Sequence, residues 1–367
     1  MKNLAILSIN QDAYSETFIK IHKTLPFNIS YYYGNVIPTH LEGKGYLLKN
    51  KLYRLYISVV AKIKKKETRL FALERSLRKE NIDVVLAEYG TTGAECLAIV
   101  KSLKLPLLVF FHGYDASVTS TLDLYRVKYL ALFKYASCVF SVSNAMTEKL
   151  VSIGCDRKKI CYNVYGPNNL FLGVKPNFEN NNFVAIGRFA DKKAPYYTIL
   201  AFNQVVKKHP DAKLIMAGDG PLWNVCKNLI LHLNLQRNVS LIGIINPQEW
   251  AKLLGNCIAF LQHSVTAATG DMEGTPVAVL EACAAGIPVI STYHAGIPDI
   301  IEHEENGLLC EEHDVDLMAV NIIRIFENRH FAQELGKNSK LKIKERFSID
   351  QHLQIITTEI ESSLKSC

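Results

Sequence analysis

The sequence predicts an α/β protein made of two doubly wound domains, each a parallel sheet covered by helices. Three observations carry this. Short apolar, β-branched runs alternate with helical patterns along the whole chain, which is the rhythm of strand–helix–strand units. The 367 residues are too many for one compact core. A stretch rich in Gly, Pro and Asn interrupts the alternation near its middle, from Tyr165 to Asn169 and again from Lys175 to Asn182.

In the first half the strand-like runs are Leu4–Ile9, Ile29–Tyr33, Val84–Ala87, Leu107–Phe111, Val139–Val142 and Ile160–Val164. Helical stretches separate them, among them Ala94–Leu103 and Ala145–Ile153, the latter opened by Ser143 as its N-cap. The rhythm restarts with Phe183–Ile186, Lys213–Ala217, Val239–Ile242, Ile258–Leu261, Pro288–Ser291 and Gly307–Leu309, with helices such as Tyr197–Lys207 and Pro247–Leu254 between them. The expected division is an N-terminal domain over 1–169, a C-terminal domain over 170–345, and a last helix over 346–367 that packs back on the first domain. Doubly wound domains bind ligands outside the carboxyl ends of their strands. The expected site is therefore a cleft between the domains, lined by residues that follow strands.

Composition narrows the class. A hydrophobic fraction of 49% and a charged fraction of 21% describe a globular protein. The best apolar run, Leu103 to Phe111, is interrupted by Lys104 and Pro106 and is far short of the ~18 apolar residues of a membrane span. The chain enters a strand-like run directly, without a charged-then-apolar leader, so a cytoplasmic protein is expected. Nine scattered cysteines, with no C-x-x-C, read as buried reduced thiols rather than disulfides or a zinc site.

The net charge of +7 is unevenly spread: residues 1–168 hold 24 Lys/Arg against 13 Asp/Glu, and the remainder 18 against 22. Much of the excess lies in Lys44–Lys79, with twelve basic residues, two Glu, and interleaved apolar residues including Leu52, Leu55, Tyr56 and Val59. Such a stretch is either a peripheral anchor on an anionic membrane surface or a core helix with a solvated face. No nucleic-acid-binding motif accompanies it, so nucleic acid is not an expected partner.

The densest chemical signal is Asp271-Met-Glu-Gly-Thr-Pro-Val-Ala-Val-Leu-Glu-Ala282. Thr275 as N-cap and Pro276 at the first helical position predict a helix start, whose free N–H groups attract an anion. Gly274 would let a phosphate approach the backbone. Glu281 falls in an apolar stretch, where a carboxylate is costly unless it accepts hydrogen bonds, such as those of ribose hydroxyls.

Glu273 and Glu281, with seven residues between them and followed by Ala-Gly-Ile-Pro-Val-Ile290 and Gly296-Ile-Pro-Asp299, resemble the nucleotide-sugar site of family-4 retaining glycosyltransferases. Gly187-Arg-Phe-Ala-Asp-Lys-Lys193, Ala217-Gly-Asp-Gly-Pro-Leu222 and Asn306-Gly-Leu-Leu309 resemble further motifs of that family, in its order. The resemblance covers nearly the whole C-terminal half. It implies the GT-B fold, two Rossmann-like domains facing across a cleft. It also implies that Arg188 and Lys193 grip the donor diphosphate, that Glu281 holds the ribose, and that Glu273 contacts the transferred sugar. Lys192 is either a further phosphate contact or a solvated lysine. The family's retention is ascribed to same-face attack, so Glu273 is not assigned as a nucleophile.

In the first half, Phe110-Phe-His-Gly-Tyr-Asp115 follows a strand, and by the same resemblance His112 would contact the donor sugar or phosphate. The loop Asn10–Phe18 lacks the family's paired glycines. Its Ser-Glu-Thr-Phe resembles bacterial exopolysaccharide and capsule glycosyltransferases of the colanic-acid type, and leaves Ser15 and Thr17 as acceptor-side residues or helix caps. No D-x-D triplet is present, so neither metal nor cofactor is expected beyond the nucleotide sugar, UDP ahead of GDP on family habit.

The expected function is a retaining, metal-independent hexosyltransferase acting on a saccharide acceptor, lipid-linked at the inner membrane face, in surface polysaccharide biosynthesis. A soluble acceptor, or a catalytically silent nucleotide-sugar-binding protein, are the alternatives. A dehydrogenase is disfavoured because neither half opens with G-x-G-x-x-G, and the Gly218/Gly220 pair lacks the rest of that fingerprint.

Overall fold

The computed structural model describes residues 1–11 and 17–365, Thr17 by its backbone only. The chain forms two compact units, one of Met1–Asn163 with Leu353–Cys367 and the other of Val164–His352. This boundary lies six residues before the expected one, just ahead of the Gly/Pro/Asn stretch that opens at Tyr165. The last helix, Ile349–Lys365, begins in the second unit, and its residues from Leu353 on group with the first.

In the first unit the strands are β1 (Asn3–Leu7), β2 (Asn28–Tyr33), β3 (His40–Leu41), β4 (Gly45–Tyr46), β5 (Val84–Glu88), β6 (Leu107–Phe110), β7 (Cys138–Ser141) and β8 (Ile160–Tyr162). They line up in the order β4-β3-β2-β1-β5-β6-β7-β8. All neighbours are parallel except β2–β3 and β3–β4, an antiparallel edge. Strands β5, β6 and β7 are buried at every residue, which is why they read as unbroken apolar runs rather than alternating ones. The edge hairpin left no such run, because each of its strands has only two residues.

The second unit holds β9 (Asn182–Ile186), β10 (Lys213–Ala217), β11 (Val239–Leu241), β12 (Ala259–Leu261), β13 (Val289–Thr292) and β14 (Gly307–Cys310). Its sheet is parallel throughout, in the order β11-β10-β9-β12-β13-β14. Chain order runs outward from β9 in one direction and then resumes at β12 in the other. The carboxyl ends of β9 and β12 thus flank a topological switch point, and those of β1 and β5 flank the equivalent point in the first sheet. Phe183, Phe202 and Phe260 are fully buried around the second sheet, each contributing roughly 1.5–3 kcal/mol of burial.

Two helix starts differ from expectation. The helix expected over Ala94–Leu103 starts at Gly90, whose free amide donates to Asp115 Oδ2 at 2.8 Å and where a Cβ would lie 2.1 Å from the Phe111 ring. The helix after Thr275 starts at Val277, with Pro276 at its N-cap and no side-chain cap, so Thr275 does not cap it. Pro276 takes an extended ψ of 118°, which places Thr275 one residue too early for that role; Thr275 is instead buried. Ser143 caps its helix as expected, accepting from the Met146 amide at 3.1 Å. The eight cysteines among the described residues are all free thiols.

Candidate active site

Beyond the end of β9 lies Gly187-Arg188, followed by a short 3-10 turn, Asp191–Lys193, that hands the chain to helix Pro195–Lys208. This loop is braced backbone to backbone by the turn after β10. The Phe189 amide donates to the Asp219 carbonyl at 2.9 Å, and the Leu222 amide to the Phe189 carbonyl at 3.0 Å. A Cβ on Gly218 would stand 2.0 Å from the Gly187 carbonyl oxygen, at a φ of +125° that side chains avoid. The Gly218/Gly220 pair therefore serves the approach of two loops.

Arg188 is exposed, and it lines a pocket at the switch point together with Gly187, Lys193 and Gln262. Lys193 turns inward. Its Nζ lies 3.2 Å from Gln262 Oε1 and 3.3 Å from Glu273 Oε2. Burial pulls the Lys193 pKa below the usual lysine range, against the opposing pull of Glu273. Burial would raise Glu273 in turn, yet the Lys193 and Lys192 ammonium groups hold its carboxyl below the ordinary value, so it is ionised at neutral pH. Its second oxygen, Oε1, is buried and has no hydrogen-bond partner among the described residues. A buried carboxylate oxygen left open is costly and marks a place for a donor.

Lys192, adjacent in sequence, does different work. Its Nζ donates to Asp271 Oδ1 at 3.0 Å and to the Met272 carbonyl at 3.2 Å, which clamps the loop that carries Glu273. Gly274 is tied to the turn after β13 by the Gly296 amide, which donates to its carbonyl at 3.0 Å.

Glu281 sits on helix Val277–Ala285, otherwise almost wholly apolar. Its carboxylate accepts the indole N–H of Trp250 at 3.0 Å. Trp250 is presented by helix Pro247–Gly255, whose start is locked by a reciprocal bond pair between Asn246 and Glu249. Burial pushes the Glu281 carboxyl up to about 7, with the indole N–H pulling the other way. No direct contact joins Glu281 to the Lys193–Glu273 pair among the described residues.

In the first unit the switch point carries a different cluster. Glu88 ends β5 with no exposed surface, and its two oxygens reach two imidazoles: His22 Nδ1 at 2.6 Å and His112 Nε2 at 2.9 Å. Burial would raise its pKa, but the two histidines bring it down to about 2, so both ring nitrogens donate to a carboxylate. His112 stacks on Phe110 at 5.4 Å and meets the Tyr89 ring edge-on at 4.7 Å. Tyr89 reaches that position with φ +80°, a strained value for a bulky residue. Asp115 accepts the amides of Gly90, His112 and Gly113 and so holds the loop around His112. Ser15 lies outside the described residues; Thr17 opens helix Thr17–Ile21, and its side chain is likewise outside them.

Sequence reasoning singled out only His112 among the histidines and missed Glu88, His22 and Trp250. A Glu closing the apolar run Val84–Ala87 was the one available signal, of the same kind as Glu281 in its apolar helix.

The basic segment divides in two. Helix Thr68–Lys79 is a core helix through Phe71, Leu73 and Leu77. Helix Lys51–Ile63 buries Ile57 and Ala61 against it but exposes Leu52, Leu55, Tyr56, Val59 and Ile63, by 81% and 76% at the two ends. Their spacing forms one continuous helical face. Lys62, Lys64 and Lys65 are exposed beside it, whereas Lys66 is paired with Glu74 at 2.5 Å. No helix among the described residues is long and apolar enough to cross a membrane.

Comparison with known proteins covers both halves. Residues 174–342 match the family model described as glycosyl transferases group 1, and residues 48–162 that of glycosyltransferase family 4. WcaL of Escherichia coli K12, named as a colanic acid biosynthesis glycosyltransferase, is 30% identical over 77% of this chain and 70% of its own. An Escherichia coli enzyme named UDP-Gal:α-D-GlcNAc-diphosphoundecaprenol α-1,3-galactosyltransferase is 25% identical over 76% of this chain and 75% of its own. Among solved structures, Anabaena HepE in complex with UDP-glucose superimposes with a TM-score of 0.78 at 15% identity, over the full length of both chains. The two family matches, and a relative of this identity and coverage, place the chain among the family-4 glycosyltransferases, with the GT-B fold of two Rossmann-like domains.

Proposed function

We propose that this chain is a retaining, metal-independent hexosyltransferase that moves a sugar from a nucleotide donor, UDP ahead of GDP, to a lipid-linked saccharide in the assembly of a bacterial surface polysaccharide. The observation that carries the reading is the Lys193–Glu273 pair: a largely buried cation at the switch point beside a carboxylate with one oxygen unpartnered. Diphosphate would draw Lys193 and the exposed Arg188, and these fixed charges would stabilise the negative charge that grows on the leaving group. Glu273 Oε1 would accept from a hydroxyl of the transferred sugar, Glu281 from the ribose, and Gly274 and Thr275 would line the phosphate approach. His112, oriented by Glu88, would steady the donor from the first domain, while Ser15 and Thr17 would face the acceptor. Lipid linkage and the UDP donor are supported by the relatives' names and by the nucleotide in HepE. The product's anomeric configuration, read by NMR, tests retention: an inverted product would end that part of the reading. A thermal-shift screen against UDP-, GDP- and ADP-sugars decides the donor.

We place the enzyme at the cytoplasmic membrane face through helix Lys51–Ile63. Its exposed apolar face suits the acyl boundary, and Lys62, Lys64 and Lys65 suit anionic headgroups, each worth about 1 kcal/mol near the surface. Binding to phosphatidylglycerol vesicles should weaken when these three lysines become Gln, and more when Leu52, Leu55 and Ile63 become Ser, with UDP affinity unchanged. Equal cosedimentation with neutral and anionic vesicles would leave a soluble acceptor as the better reading.

A further inference from the structure

We infer that His294 and Glu312 form a latch that sets the backbone position of Glu273, a positioning pair that acts through Glu273 and does not touch substrate. Its value to the reaction rests on the sugar-contacting role proposed above for Glu273.

His294 lies in the turn after β13 with its side chain fully buried. Its Nε2 is 3.1 Å from the Glu273 amide nitrogen. An amide N–H can only donate, so Nε2 must be the unprotonated, accepting nitrogen. On the other side of the ring, Nδ1 lies 2.6 Å from Glu312 Oε1. That atom carries the proton and donates to the carboxylate, so the two ends of the ring specify one tautomer. Glu312, two residues beyond β14, also accepts the Thr266 amide at 2.8 Å and the Thr266 hydroxyl at 3.3 Å. Thr266 belongs to the loop that follows β12. The latch therefore ties the loops beyond β12, β13 and β14 to the segment that carries Glu273.

The arrangement solves a specific problem. Glu273 has one oxygen on Lys193 and the other buried without a partner, so its side chain cannot anchor itself without giving up the atom that would meet a ligand. Lys192 holds the loop upstream, at Asp271 and Met272, and the Gly296 amide holds it downstream at Gly274. His294 grips the residue in between by its main chain and leaves both carboxylate oxygens to the site. A misplacement of about 1 Å at such a group costs on the order of 10²-fold in rate.

The test uses the full chain. Nitrogen-15 NMR of the His294 ring should show the Nδ1–H tautomer at neutral pH, and hydrogen exchange should show a protected Glu273 amide. His294→Leu should speed that exchange and lower UDP release from UDP-glucose at saturating donor by about 10²-fold, with UDP affinity by calorimetry unchanged. His294→Gln offers an acceptor near the Nε2 position and should restore most of the protection and rate. Glu312→Leu should fall between the two. An Nε2–H or doubly protonated ring, an equally fast Glu273 amide in wild type and His294→Leu, or no rescue by Gln would overturn the latch. So would full turnover in His294→Leu alongside a crippled Glu273→Gln. If both variants lose nothing in turnover while the amide is freed, the latch stands and the sugar role of Glu273 falls.

Discussion

The two switch points of this molecule are built alike and finished differently. In the first sheet Glu88 is buried with both oxygens engaged by His22 and His112, and Asp115 beside it takes three backbone amides. In the second, Glu273 is buried with one oxygen on Lys193 and the other unpartnered, and Arg188 stands exposed at the rim. A saturated cluster holds a ring in place; an unsaturated one has capacity left for a ligand. A glutamate that ends a strand is thus fully engaged in the first unit, while one in the loop beyond β12 keeps an oxygen open in the second. What separates them is the count of donors that the fold brings to each carboxylate.

The largest expected effect tests the unsaturated side. Glu273→Gln keeps shape but removes the charge that would act on the transferred sugar, so turnover should drop by ~10²-fold or more, with nucleotide affinity nearly intact. A parallel loss of both in steady-state kinetics and calorimetry would make Glu273 a nucleotide ligand, and the contrast would blur.

On the saturated side, Glu88→Gln should cost about 3 kcal/mol of stability in urea unfolding at pH 7, because an amide cannot accept both imidazole N–H groups as a carboxylate does. The Glu88 pKa is depressed in the folded state, so its stabilisation is present above the unfolded value near 4.5 and is lost as pH falls towards 2. A pH-independent difference between the two proteins would show that Glu88 is not the ionised hub. UDP affinity should fall less than in Arg188→Ala or Lys193→Ala, since Glu88 would reach the donor only through His112.

Arg188→Ala and Lys193→Ala should each weaken UDP binding by roughly 1.5–3 kcal/mol without loss of fold. Of the two, Lys193→Ala should also raise the Glu273 pKa, because it removes the nearest cation. Unaltered nucleotide affinity in both variants would detach the cations from the diphosphate.

The smallest effect concerns Glu281, whose carboxyl is raised to about 7 in the folded chain. Between the unfolded value near 4.5 and 7 the folded state holds the extra proton, so stability declines as pH rises through that window. Glu281→Gln should therefore stabilise the free protein at pH 8 by roughly 1–2 kcal/mol, allowing for partial exposure, and weaken UDP binding. In the wild type UDP affinity should rise with pH towards 7. A stabilised variant that still binds UDP with full affinity would sever Glu281 from the ribose.

Much of this could be read from residues alone. Unbroken apolar runs such as Val84–Ala87 and Leu107–Phe111 announced strands buried on both faces, and Ser143 announced a helix start. The GxxxxxK run from Gly187 to Lys193 and the paired Glu273 and Glu281 carried the resemblance to a donor site because motifs of this kind are local in sequence. Thr275 misled because a Thr-Pro pair can begin a helix at either of two residues, and only the packing of the loop chose the later one. In helix Lys51–Ile63 the pattern showed amphipathicity without telling which apolar face would be covered; helix Thr68–Lys79 covers one and leaves the other in the open.

By itself the sequence determined the parallel strands of the two sheets, the family and the residue types that resemble its phosphate and sugar contacts, since each depends on short-range periodicity or on motifs a few residues long. Tertiary structure alone decided which of those groups remain available. His22 meets Glu88 across 66 residues, Trp250 meets Glu281 across 31, and His294 meets Glu273 across 21. Such pairings follow from sheet order and loop packing, where a few tenths of an ångström separate a hydrogen bond from none. No periodicity in the chain encodes them.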